Sequence, residues 1–175
     1  MKRWLIWTPL AVMVALAVLF AGYALKHDPK FIPDALVGKP APDIAVAPLG
    51  SEGPPVPVRS TLQGPTFVNF FASWCVPCVQ EAPTLMAMQG QGARIVGIAF
   101  QDTAPAALGF LERYGDPFQT KLIDDGGRAG IEFGVSGVPE TFLVGPDGVI
   151  LAKHSGPMSM ADAEAMLLKA QAAIR

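Results

Sequence analysis

The sequence predicts an α/β domain, a central mixed β-sheet with helices on both sides, preceded by one N-terminal transmembrane helix. Three observations carry this expectation. Between Phe67 and Ile123, apolar runs that read as strands alternate with segments of helical spacing, and a strand–helix–strand order implies a parallel pair joined by a right-handed crossover. Thr141–Val144 and Val149–His154 flank the turn sequence Gly145-Pro146-Asp147-Gly148, which predicts a hairpin. Trp4–Leu25 carries no charge. The 175 residues leave room for one such domain and not two, and the formal net charge of -2 argues against a general nucleic-acid binder. A hydrophobic content of 51% is high for a wholly soluble chain.

As a helix, Trp4–Leu25 would be about 33 Å long, enough to cross a bilayer core. Lys2 and Arg3 precede it, which orients the following domain outside the cytoplasm, although Lys26 and Lys30 weaken the asymmetry. A cleaved signal peptide is the alternative; its apolar region is normally shorter, and no A-x-A site follows here. Either reading exports the domain. Residues 1–25 are therefore read as an anchor, 26–37 as a linker and 38–175 as the domain. Pro29, Pro33, Pro40, Pro42, Pro48, Pro54, Pro55 and Pro57 supply nearly half of the 17 prolines, so the segment up to Ser60 is neither a long helix nor a central strand. Ile44–Val46 and Val56–Arg59 are expected as edge strands of an N-terminal hairpin.

Phe67, Phe70 and Phe71 mark a buried strand. Val76–Gln89 is expected as a helix with Cys78, Ala82, Leu85, Met86 and Gln89 on its apolar side and Gly90 as its stop. Arg94–Phe100 follows as a strand, then a helix capped by Asp102 or Thr103, with Pro105 in its first turn, Leu108, Leu111 and Tyr114 at helical spacing, and Gly115 at its end. Gln119–Ile123 reads as a short strand, Gly130–Phe133 as a helical turn, and Asp124 and Asp125 as turn formers. Ser159 with Asp162 forms a capping box for a last helix whose apolar face is Met160, Ala163, Leu167, Ala170 and Ile174.

The chemistry sits between the first strand and its helix. Cys75 and Cys78, the only two cysteines, are spaced C-x-x-C at a helix N-terminus, where unpaired N–H groups and the macrodipole favour a thiolate. A structural bridge closing so short a loop would constrain little. A zinc site would need further ligands, and His27 and His154 lie far off in sequence, so no metal or other cofactor is expected. The helical register places Cys78 inward and leaves Cys75 accessible.

Trp74-Cys75-Val76-Pro77-Cys78 resembles the W-C-x-P-C site of thioredoxin-like proteins, with Pro83 where those proteins kink the active-site helix. Gly137-Val138-Pro139-Glu140-Thr141-Phe142 resembles the segment that carries their cis-proline. Cys78-Val79-Gln80-Glu81-Ala82-Pro83, together with Glu140 after the proline, resembles the membrane-anchored CcmG/DsbE group, which serves cytochrome c maturation. The resemblance runs from about Gly38 to the C-terminus and implies a thioredoxin-like fold. It implies a redox-active Cys75–Cys78 disulfide, with Cys75 as nucleophile and Cys78 as resolving thiol. Trp74 and Pro77 would shape the approach, and the backbone of Val138 beside a cis Pro139 would bind an extended substrate strand.

The implied activity is thiol–disulfide oxidoreduction on the periplasmic side of the inner membrane. The implied clients are apocytochrome c or a haem-ligation thiol protein, and the implied electron source is a transmembrane thiol carrier. An anchored reductase with another client, or a metallochaperone on the same fold, is the alternative. Asn69 stands six residues before Cys75, where cytosolic thioredoxins carry a buried aspartate; an amide cannot move that proton. Glu81 and Glu140 are the candidate substitutes, expected as an acidic rim, against the bland reading of solvated surface charge.

Overall fold

Alternation of buried runs with one-faced helices yields the element order of the computed structural model, which describes residues 7–26 and 35–174. The elements are α1 (Thr8–Lys26), β1 (Ala45–Pro48), β2 (Val56–Pro57), β3 (Thr66–Phe71), α2 (Val76–Gly90), β4 (Arg94–Phe100), α3 (Ala104–Tyr114), β5 (Thr120–Asp124), α4 (Arg128–Glu132), β6 (Glu140–Val144), β7 (Ile150–Ser155) and α5 (Met160–Ala172). The chain divides into two units, Met1–Pro33 and Asp34–Arg175.

In the second unit the strands form one mixed sheet in the order β2-β1-β5-β4-β3-β6-β7. β3 runs parallel to β4 and antiparallel to β6, and every residue of β3 is buried. Burial on both faces explains why this strand reads as a continuous apolar run. Phe67 and Phe71 pack with Leu85, Phe110 and Met166 on the face covered by α2, α3 and α5. Val68 and Phe70 pack with Ala129, Phe133 and Phe142 on the face of α4. Strand alternation puts Asn69 on the α2 face, opposite Thr141 of β6 in register. A polar side chain thus lies beneath the helix that carries the cysteines.

Several expectations shift. The N-terminal pair forms, but β2 is two residues long and Val58–Thr61 is a 3-10 turn. β1 also pairs with β5, so the hairpin extends the main sheet. On α2 the buried face is Cys78, Glu81, Ala82, Thr84, Leu85 and Met88, not Met86 or Gln89. Met86 instead lies over Gly115, whose φ of 101° closes α3. On α5, Ala163, Met166 and Ala170 are buried while Met160 and Ile174 are exposed. That face is two alanines and Met166, and it packs beside α2. The capping box of Ser159 and Asp162 forms as expected.

In the first unit, α1 spans 19 residues, about 28 Å at 1.5 Å per residue, just short of a typical hydrocarbon core. No helix among the described residues is long and apolar enough to cross a membrane. The transmembrane helix expected over Trp4–Leu25 is therefore not recovered as such; its first three residues, and most of the expected linker 26–37, lie outside the described residues.

Candidate active site

β3 ends at Phe71 and α2 begins at Val76, so the chain turns at the C-terminal edge of the sheet and presents Trp74-Cys75 there. Cys75 is the N-cap of α2, and Cys75 and Cys78 form a disulfide with an S–S distance of 2.06 Å. The Cys78 N–H donates to Cys75 Sγ at 3.1 Å. That donor, with the dipole of the 15-residue helix behind it, stabilises negative charge on Cys75 rather than on Cys78.

Exposure does not separate the two sulfurs as the helical register led us to expect: each cysteine is 3% exposed. Their difference is electrostatic, and access comes from the surroundings. Trp74 is 58% exposed, with Val76 and Pro77 also open beside it. The indole Nε1 of Trp74 donates to the Gln101 carbonyl at 3.1 Å, which fixes the ring against the β4–α3 loop. Asp102 anchors the same turn. Its carboxylate accepts the Ser73 N–H at 2.6 Å, the Ser73 hydroxyl at 2.9 Å and the Thr103 N–H at 2.7 Å.

Across the disulfide, the Val138–Pro139 peptide bond is cis. The Val138 carbonyl oxygen lies 3.4 Å from Cys75 Sγ. Its N–H has no acceptor among the described residues, while the Pro139 carbonyl accepts the Gly156 N–H. Pro139 is buried and Val138 half-buried, so the Val138 N–H is the unpaired backbone donor beside the disulfide.

Glu81 is 1% exposed, one helical turn after Cys78 on the buried face of α2. Its Oε2 accepts the Asn69 amide Nδ2 at 3.1 Å, and the same amide donates to Thr141 Oγ1 at 2.9 Å. Burial pushes the Glu81 carboxyl from the ordinary 4.5 up to about 7, against the opposing pull of Asn69 and of the Met158 backbone. Met158 makes no aligned hydrogen bond to it, and Glu81 Oε1 and Asn69 Oδ1 are both left without hydrogen-bond partners. A small cavity touches Asn69, Cys78, Glu81, Ala82 and Phe118, with room for about one water molecule. Sequence reasoning singled out Glu81 but treated Asn69 only as the loss of an acid; it is the side chain that orients the replacement.

Glu140 is also 1% exposed and follows Pro139, but it lies on the opposite face of the sheet. It pairs with Lys153, Nζ to Oε2 at 3.0 Å, and its Oε1 accepts the Ser136 and Ser155 hydroxyls at 2.7 and 3.1 Å. The expected acidic rim is therefore absent from the surface: both glutamates are interior, and one has its charge matched. Asp124 accepts the Gly130 N–H and Asp125 the Gly126 N–H, the loop-forming roles expected of them. His154 is half-buried on β7. Gln101, Asp102 as a clamp on Ser73, and Lys153 were not singled out, because their partners are distant in sequence.

A disulfide held at a helix N-terminus, beside a backbone edge and above a buried acid, can do one thing readily: exchange with another dithiol or disulfide. This is the chemistry of thioredoxin-fold oxidoreductases, and similarity to known proteins narrows the class. The chain belongs to the redoxin family, whose model matches residues 36–167, and within it to the DsbE-type thiol:disulfide interchange proteins. It is 43% identical to the thiol:disulfide interchange protein DsbE of Allochromatium vinosum over 159 residues, 90% of this chain and 86% of that protein. HelX of Rhodobacter capsulatus is 39% identical over 161 residues, 91% of this chain and 90% of that protein. The crystal structure of a DsbE-type protein from Chlorobium tepidum superposes with a TM-score of 0.68 at 29% identity, covering 79% of this chain and 98% of that one. The protein is a thiol–disulfide oxidoreductase.

Proposed function

We propose that the protein works as a reductant at the outer face of the cytoplasmic membrane, with Cys75 as nucleophile, Cys78 as resolving thiol and Glu81 as the base that frees Cys78. The Cys75 thiolate attacks a client disulfide and releases one client thiolate. Cys78 loses its proton to Glu81 and attacks Cys75 Sγ; the second client sulfur departs, and the Cys75–Cys78 disulfide remains. Two electrons pass to the client, and a transmembrane thiol carrier resupplies them. The observation that carries this reading is the buried Glu81 carboxyl beside Cys78, raised to about 7, where a group can both take and return a proton. The unpaired Val138 N–H beside Cys75 supports recognition of an extended client strand, with Trp74 and Pro77 shaping the approach.

Membership of the DsbE-type group supports a redox partner outside the cytoplasm, with the haem-binding cysteines of apocytochrome c, or a haem-ligation thiol protein, as client. We further propose that residues 1–25 anchor the chain in the inner membrane, 26–37 space it and 38–175 carry the chemistry. The exposed apolar side chains of α1, among them Leu10, Met13, Leu19 and Phe20, support the anchor.

The test is a trap in the native host. Cys78→Ser should accumulate a mixed disulfide between Cys75 and an apocytochrome c or haem-ligation thiol protein, and deletion should lower c-type cytochromes, with partial rescue by a small thiol reductant. Unrelated exported proteins in the adduct, with normal cytochromes in the deletion strain, would assign another client. In vitro, Glu81→Gln should slow resolution of the mixed disulfide on the order of 10²-fold at neutral pH; an unchanged rate would remove Glu81 from the mechanism.

A further inference from the structure

The sheet face opposite the disulfide helix holds a polar cluster that the exchange chemistry does not use. The Lys153 side chain is 5% exposed, although lysine is almost never buried without a partner. It stands opposite Phe142 in the β6–β7 register, with Nζ 5.3 Å from the ring centroid. From there it reaches Glu140 Oε2 at 3.0 Å and the Gly134 carbonyl at 3.2 Å. Glu140 Oε2 has no aligned hydrogen bond, so charge holds this contact, while Oε1 takes the hydroxyls of Ser136 and Ser155.

The partners share a segment. Gly134 and Ser136 lie in the loop that joins α4 to β6, Glu140 is the first residue of β6 where that loop ends, and Lys153 and Ser155 are fixed in the outer strand β7. Between the tied points the loop carries Val138, whose carbonyl lies 3.4 Å from Cys75 Sγ. An apolar pair of similar volume would stabilise the fold as well as a buried ion pair does, or better. What charge and hydrogen bonds supply here is direction: they tie the loop to β7 at one position.

We infer that Lys153 and Glu140 are positioning residues that hold the 134–139 loop so that the Val138 backbone stands beside Cys75 at the height a client strand requires. The role rests on the proposal that clients pair with Val138. It predicts dependence on the kind of disulfide offered. A peptide disulfide uses the backbone edge; a small aromatic disulfide such as 5,5′-dithiobis(2-nitrobenzoate) has no backbone to pair.

The experiment measures the rate constants with which the reduced full-length protein, in detergent, reduces a disulfide-containing peptide and the aromatic disulfide. Wild type is compared with Ser136→Ala and with the double variant Lys153→Met/Glu140→Gln, which removes both charges together and leaves no buried ion unpaired. Hydrogen exchange is followed over residues 134–140. The ratio of peptide to aromatic rate constants should fall about tenfold in the double variant, the scale of a misplaced binding group, and less in Ser136→Ala. Exchange should quicken over 134–140 and stay unchanged in β3 and α2. Equal losses on both substrates, or faster exchange throughout the domain, would reduce the pair to a structural contact and overturn the inference. If wild type itself shows no preference for the peptide, pairing at Val138 fails. The positioning role then stands or falls on the exchange measurement, and unchanged exchange over 134–140 overturns it.

Discussion

Glu81 and Glu140 carry the same side chain and the same 1% exposure, yet the two faces of the sheet treat them differently. Beneath α2, Glu81 meets one amide, an unpartnered oxygen and apolar walls, so burial favours its proton. On the α4 face, Glu140 meets an ammonium and two hydroxyls, so its charge has partners. Burial alone does not decide what a carboxyl does. The partners decide, and they differ because strand alternation sends Asn69 and Thr141 to one face and Glu140 to the other.

Removing each acid should separate the two most strongly. Glu140→Ala leaves Lys153 buried without its counter-charge and is expected to cost about 3–5 kcal/mol in urea unfolding of the oxidised protein. Glu81→Ala, which deletes a carboxyl that burial already disfavours, should cost clearly less. Equal losses would erase the distinction.

A pH series sharpens it further. Folded Glu81 holds its proton more tightly than the unfolded chain does, so its contribution to stability is full below pH 4.5 and is lost as the pH rises through about 7. The loss is about 3 kcal/mol at most. Replacing Glu81 with glutamine should flatten the stability curve between those pH values, and a slope that survives would belong to other groups.

The smallest effect concerns the amide that orients Glu81. Thr141→Val removes one of the two acceptors of Asn69 and should cost about 1 kcal/mol, with the Cys75–Cys78 reaction slowed only slightly. A loss as large as that of Glu140→Ala would mean that the α2 face, too, depends on a tightly coupled polar network.

Much of this domain was readable because its signals are local. Arg94–Phe100 is a strand that runs apolar after Arg94, the Ser159–Asp162 box caps α5, and Cys75-Val76-Pro77-Cys78 announces redox chemistry at a helix start. Each depends on residues a few positions apart. The apolar faces of α2 and α5 were less legible, since Met160 and Ile174 are hydrophobic but exposed, and Met86 lies over the end of α3 at Gly115 and not in the core.

The sequence by itself determined that a C-x-x-C pair would sit at a helix N-terminus after a buried strand, because periodicity, capping and turn chemistry act within one turn of chain. Only the tertiary structure decided the fate of the groups around it. Asn69 orients Glu81 from 12 residues away and Thr141 receives the same amide from 72 away. Asp102 clamps Ser73 across 29 residues, and Val138 reaches Cys75 across 63. These contacts exist because β3 is central and pairs with both β4 and β6, which brings distant chain to one edge of the sheet. Whether a buried acid meets a cation or an apolar wall there depends on which face its strand position selects, and only the assembled sheet defines what covers that face.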